Sequence, residues 1–290
     1  MDQPRRKILL LLIILMLAAP SRPRAGSRPP ASKGFTLLLS NDDGYDAPGL
    51  KALIRALQPV GDIFVAAPAD NQSGKGHSIS VGSPIYANPK KQPNGETWYA
   101  IEAPPATCVR LALEALMRKP PDVVISGINR GENLGLVVYY SGTVGGAREA
   151  AMSGLPAIAV SMQGDNASDY SAAAAYVRTL LEQLRATHML KPGFFLNVNV
   201  PAGQPKGVRV TRLSMKMGQE MFERRSDSSG RPYFWQTWRR PREDEEGTDV
   251  WAFVRGYITL TPLTLDTTAP RGMNALRSLE LESAVTAAAP

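Results

Sequence analysis

Apolar residues recur along this chain in short runs, each closed by a polar, glycine-bearing stretch. Leu37-Leu38-Leu39 ends on Ser40-Asn41-Asp42-Asp43-Gly44. Ile63-Phe64-Val65-Ala66-Ala67 precedes Asn71-Gln72-Ser73-Gly74-Lys75-Gly76-His77-Ser78, and Val123-Val124-Ile125 precedes Ser126-Gly127-Ile128-Asn129-Arg130-Gly131-Glu132-Asn133-Leu134-Gly135. Runs of this length with such ends read as buried strands, and further strands are expected at 157–161, 194–198 and 208–213. Between them the period changes to that of a helix. Ala47-Pro48-Gly49-Leu50 opens one amphipathic run through Leu57. A second covers 107–117 and is stopped by Pro120-Pro121, a third covers 143–153 up to Gly154, and a fourth covers 169–184.

Strands alternating with helices predict an α/β fold: a Rossmann-like, doubly wound, mostly parallel sheet. Residues 215–255 break the rhythm with polar residues, Gly230, Pro232 and the aromatics Tyr233, Phe234, Trp235 and Trp238. They read as a C-terminal hairpin or arm outside the main sheet. The expected organisation is a leader and linker over 1–33, an α/β domain over 34–270 that includes the arm, and a C-terminal helix and tail over 271–290, frayed from Ser283.

The N-terminus follows another logic. Arg5-Arg6-Lys7 precedes an unbroken apolar run from Ile8 to Ala19, then Pro20 and the small residues Ala25-Gly26-Ser27. That order is the one a secretory signal peptide uses, and the run is shorter than the ~20 residues of a spanning helix. Export, as to a periplasm, is the expectation, with no stable membrane span after leader removal. An uncleaved tether is the alternative.

The leader also reshapes the charge. The whole chain has 33 basic and 26 acidic residues, a net +7. Residues 1–33 hold seven of the basic residues and one of the acids; subtracting them leaves 26 against 25, a net +1. The basicity is mostly targeting signal and gives no footprint for duplex nucleic acid. Cys108 is the only cysteine, which excludes an internal disulfide and a cysteine-based zinc cluster. It lies among Ala106, Val109 and Ala112 on an expected helix and reads as a packed core thiol. His77 reads as a solvent-facing loop histidine and His188 as a helix-end residue. Neither a G-x-S-x-G nucleophile elbow leading a triad nor a P-loop is present.

Candidate chemistry concentrates at the strand ends. In open α/β sheets ligands bind beyond the carboxyl ends of the strands. Asp42 and Asp43, adjacent there, repel unless a cation separates them or one takes up a proton. A divalent metal answers that, and so does an Asx-type turn that places Asp43 near a helix N-terminus. Ser73 reads equally as a turn hydroxyl, Asn129 as a loop cap, and Ser141 and Thr143 as N-caps.

Five ordered blocks resolve part of this. Residues 40–50, 71–74, 126–135, 140–147 and 247–262 resemble, in order and spacing, the SurE family of metal-dependent nucleoside-monophosphate phosphatases. The resemblance implies Asp42, Asp43, Ser73 and Asn129 as ligands of one Mg²⁺ or Mn²⁺ per subunit. It implies Asn41, Ser141, Gly142 and Thr143 at the phosphate. Asp42 or Asp43 would activate water, Asp42 being favoured. Substrates would be nucleoside monophosphates (5′, with 3′-nucleotides or short polyphosphate as further candidates). It also implies a homodimer or homotetramer in which the arm's aromatics meet a neighbouring subunit. Such an all-oxygen donor set suits hard divalent ions. Two features depart from the family: Leu136-Val137-Val138 stands where acidic residues are common, and the leader contrasts with a usually cytoplasmic location. The alternatives are a metal-dependent nucleotide-sugar glycosyltransferase and a non-catalytic metal–phosphate binding protein.

Overall fold

In a computed structural model, which describes residues 34–164 and 168–279, the chain forms a nine-stranded sheet and a separate two-stranded ribbon. The predicted leader and the last residues of the tail lie outside the described residues. Six strands run parallel at the centre. They are β1 (Thr36–Ser40), β2 (Asp62–Pro68), β4 (Thr97–Ile101), β5 (Val123–Arg130), β6 (Ala157–Met162) and β7 (Phe195–Val200). Their order across the sheet is β4-β2-β1-β5-β6-β7. From β1 the chain builds outward one way through β2 and β4, then returns beside β1 and builds the other way through β5, β6 and β7. The reversal falls between β1 and β5, so the crevice at their carboxyl ends is the place where this architecture receives a ligand.

One edge is closed by antiparallel β3 (Ala87–Lys91) against β4. At the other, β11 (Ile258–Pro262) runs antiparallel to β7 and carries the short β8 (Val208–Val210). The β3–β4 hairpin and β11 are elements that hydrophobic patterning alone does not mark. Pro89 sits in β3, where an edge position tolerates a residue without an N–H. Asn94-Gly95 between the two strands was the available signal for a tight hairpin turn.

Alternation along the strands sorts side chains onto two faces. Leu37, Leu39, Ile125, Ile158, Val160 and Val198 face α1 (Pro48–Leu57) and α4 (Ser171–Ala186), which bury Leu50, Leu53, Leu57, Val177 and Leu181 against them. Leu38, Val124 and Ala159 face α2 (Pro105–Leu111) and α3 (Gly142–Met152), meeting Val109, Val144, Ala147 and Ala150. Cys108 is fully buried in that second layer, its thiol donating to the Ala103 carbonyl. Burial raises its pKa far above the ordinary thiol value.

Several boundaries move. The expected helix over 107–117 is α2 followed by a wider turn over Ala112–Leu116, closed by Met117 N–H on Ala112 C=O. The strand expected at Val123-Val124-Ile125, β5, runs on to Arg130, so Asn129 stands on a strand and pairs with Ser161 after an irregularity in register. The strand expected over 208–213 is only three residues long. The arm is a hairpin of β9 (Gln219–Ser226) and β10 (Pro232–Arg239), with Phe222, Phe234 and Trp235 exposed. Behind it come α5 (Asp249–Val254), N-capped by Thr248, and an exposed α6 (Pro270–Arg277). Among the described residues no helix is long and apolar enough to cross a membrane.

Candidate active site

The switch point is built by four segments. The first is the turn after β1. Asn41 brackets it with both ends of its amide, donating from Nδ2 to Gly44 C=O (2.8 Å) and accepting at Oδ1 from Gly44 N–H (3.2 Å). Asn41 is fully buried and thereby fixes the two carboxylates that follow.

The second segment is the loop after β2. Gln72 N–H donates to the Asp42 carbonyl (2.7 Å), Asn71 Nδ2 to Asp43 Oδ1 (3.3 Å) and Ser73 N–H to Asn71 Oδ1 (2.9 Å). Ser73 is thus anchored, through Asn71, beside Asp43. The third is the end of β5, where Arg130 N–H donates to Asp43 Oδ2 (2.8 Å). That bond brings Asn129 to the same edge, and Asn129 Nδ2 donates to Gly131 C=O (2.7 Å), which orients its amide.

The fourth segment is the start of α3. Ser141 is its N-cap, Oγ accepting from Val144 N–H at 3.1 Å. The Thr143 hydroxyl turns the other way and donates to Asp42 Oδ1. Gly142 makes the approach feasible: a Cβ there would stand 2.8 Å from Asp42 Cβ and 2.9 Å from Oδ2. The Asp42 carboxylate therefore lies against a helix N-terminus, where free N–H groups and the dipole favour negative charge.

Electrostatics at this edge are unusual. Asp42 is 3% exposed and forms no ion pair among the described residues. Burial raises its pKa to about 6; the Thr143 hydroxyl pulls downward and the neighbouring Asp43 charge pushes up again. Burial raises Asp43 too, against the downward pull of the Arg130 N–H and guanidinium charge. Two partly desolvated carboxylates with raised pKa values at one strand end are the kind of arrangement found at functional sites.

All eight residues singled out in the sequence thus lie on these four segments. Asn71 and the Arg130 backbone, which hold Asp43, were not singled out, since a bridging role depends on a fold that patterning does not give. Ser40 and Ser126 were missed as well. They pair in register where β1 ends, Ser126 standing midway along β5, and both hydroxyls are buried without a hydrogen-bond partner. His77 corrects an expectation: it is partly buried and bonds through Nε2 to Glu149 at 2.8 Å. His188 caps the end of α4 with a positive φ of 55°. In the Leu136-Val137-Val138 departure, Val138 is buried in the α2–α3 layer, so one residue of the triplet serves the core.

The fold and this edge define a doubly wound α/β protein with an acidic crevice at the switch point. The family profile described as "Survival protein SurE" matches residues 37–220, and the chain belongs to that family. It is 42% identical over 252 residues to a protein of Desulfitobacterium hafniense named 5′-nucleotidase SurE, covering 85% of this chain and 98% of that one. A Thermus thermophilus protein named 5′-nucleotidase SurE 1 is 42% identical over 246 residues, covering 84% and 97%. The crystal structure of SurE protein from Aquifex aeolicus superposes with a TM-score of 0.72 at 37% identity, covering 84% of this chain and 99% of that one.

Proposed function

We propose that this protein is a divalent-metal-dependent 5′-nucleotidase that hydrolyses nucleoside monophosphates to nucleoside and inorganic phosphate. The observation that carries the reading is the pair Asp42–Asp43 at the β1–β5 switch point, with the N-terminus of α3 closing on it. The nucleotidase names of relatives spanning most of the chain agree with it.

A divalent ion fits the residues present. Two adjacent carboxylates, both pushed toward protonation by burial, call for a cation. Among the described residues no group of three His, Cys, Asp or Glu side chains gathers, so a carboxylate, hydroxyl and amide donor set is what this edge offers. Asp42, Asp43, the Ser73 hydroxyl and the Asn129 amide oxygen would hold one Mg²⁺ or Mn²⁺ per subunit, the hard ions such oxygens prefer. When bound, the ion supplies phosphoryl polarisation and a more acidic water.

The chain's own groups do the rest. Asn41 holds the turn that aims both aspartates. The first turn of α3, at Ser141, Gly142 and Thr143, receives the phosphate through backbone N–H groups and dipole. Ser141 acts there through its cap, which sets the helix start. Asp42, held by Thr143, takes the proton from the attacking water. The glycosyltransferase and binding-protein alternatives gain no supporting observation. The arm's exposed aromatics support association into a homodimer or homotetramer, and the order of residues 5–27 supports export.

The test is a panel of 5′- and 3′-monophosphates, di- and triphosphates and short polyphosphate, with Ser73→Ala and Asn129→Ala beside the native chain. Preferred release from 5′-monophosphates, with both variants requiring more metal, supports the reading. Equal metal requirement in all three proteins contradicts the ligand set.

A further inference from the structure

Glu149 lies near the end of α3, only 2% exposed, with two basic groups aimed at its two oxygens. Arg110 Nε of α2 donates to Oε1 at 2.6 Å, and His77 Nε2 meets Oε2 at 2.8 Å. Burial works against the carboxylate, yet the two partners outweigh it and hold its pKa below the usual range. A buried charge is weak evidence for stability by itself, because an apolar side chain of similar size fills such a place as well or better. Its position suggests another purpose.

His77 stands four residues beyond Ser73 in the same loop. Between them the loop touches the start of α3 at Gly76, which is buried while Ser73, Gly74 and Lys75 are exposed. Gly76 N–H donates to Tyr140 C=O at 2.9 Å, and a Cβ on Gly145 would fall 2.3 Å from the Gly76 carbonyl oxygen. A Cβ on Gly76 would fall 2.8 Å from Tyr139 C=O. Contact this close allows no side chain on either surface, so the loop's height above the helix is set by backbone. On one side of this contact the His77–Glu149 bond ties the loop to α3, and on the other the Gln72–Asp42 backbone bond and the Asn71–Asp43 bond tie it to the turn after β1.

We infer that His77 and Glu149 are positioning residues: their bond clamps the Ser73 loop to α3, so that the Ser73 hydroxyl and the Thr143–Asp42 pair are held in one frame. The inference rests on the metal-site reading above. Arg110 is the natural control, because it shares Glu149 but belongs to α2 and not to the loop. Losing a partner bonded directly to a metal ligand typically lowers metal affinity by about 10–100-fold; His77 acts one step further out, so the low end of that range applies.

The test measures Mn²⁺ binding by calorimetry, amide hydrogen exchange over residues 72–78, and kcat and KM for AMP. The proteins are the full chain and its His77→Ala, His77→Gln and Arg110→Met variants. His77→Ala should weaken Mn²⁺ binding about tenfold and speed exchange at Gly76. His77→Gln, which can still donate to Glu149, should recover most of both. Arg110→Met should lower the melting temperature while leaving the Mn²⁺ Kd within twofold. Equal Mn²⁺ binding in His77→Ala and the native chain overturns the inference, as does an equal loss in Arg110→Met. A native chain that binds no Mn²⁺ instead removes the metal-site reading on which the inference rests.

Discussion

The Thr143 hydroxyl donates to Asp42 across 101 residues of sequence, joining the first turn of α3 to the end of β1. That bond spans the switch point of the sheet. It places a buried carboxylate where a helix dipole and a hydroxyl stabilise its charge, while burial and Asp43 oppose it. The balance sets how this edge behaves with pH and with metal.

Without metal, the buried Asp42 should make stability fall as pH rises. Its folded pKa of about 6 stands above the ordinary 3.8. A carboxyl raised in this way contributes fully below the unfolded value and loses that contribution as pH climbs through the folded one. The penalty at neutral pH is on the order of 3 kcal/mol at most. In EDTA, Asp42→Asn should therefore melt higher than the native chain at pH 7, with the gap closing below pH 4. Equal melting temperatures at pH 7 would contradict the burial of a charge there.

Thr143→Val removes the hydroxyl at nearly constant volume. With its donor gone, the Asp42 pKa should rise further, so the deprotonated form becomes scarcer in mild acid. Mn²⁺ binding, which needs that form, should weaken severalfold more at pH 6 than at pH 8. A loss independent of pH would show that the hydroxyl acts on something other than this carboxylate.

Gly142→Ala places a Cβ 2.8 Å from Asp42 Cβ. Something must shift, and overpacking of this kind costs roughly 1–3 kcal/mol. Activity should fall at least tenfold while far-ultraviolet circular dichroism stays native. Full activity in the variant would mean that the α3–Asp42 approach has no bearing on turnover.

Much of this arrangement is legible in the sequence, and the limits have physical causes. Leu37-Leu38-Leu39 and Val123-Val124-Ile125 declare buried strands because they are uniformly apolar and end at glycine-bearing loops. The order of those strands puts Asp42 and Asn129 on one edge before any coordinate is known. Thr97–Ile101, by contrast, is a central parallel strand with a mixed pattern, so its strand character comes from pairing with β2. The His77–Glu149 bond joins residues 72 apart and follows from neither periodicity nor motif. Likewise the role of Thr143 as an N-cap or a carboxylate partner is undecided by local sequence. Only the packing of α3 over β5 and β6 turns its hydroxyl toward Asp42.

Cys108→Ala should leave turnover per folded molecule unchanged, because the thiol is fully buried in the α2–α3 layer and touches none of the crevice groups described above. The lost packing should lower stability by roughly 1 kcal/mol, a fall of about 2–4 °C in melting temperature. A large drop in kcat with an unchanged melting temperature would give the thiol a role that its burial does not suggest.

The most direct measurement is phosphate release from AMP by the purified chain, run with Mn²⁺, with Mg²⁺ and with EDTA, beside Asp42→Asn and Asp43→Asn. The expected result is metal-dependent release that EDTA abolishes and that falls at least a hundredfold in both folded variants. Undiminished release in EDTA, or native rates in both variants, would contradict the assignment of this edge as a metal-dependent nucleotidase site.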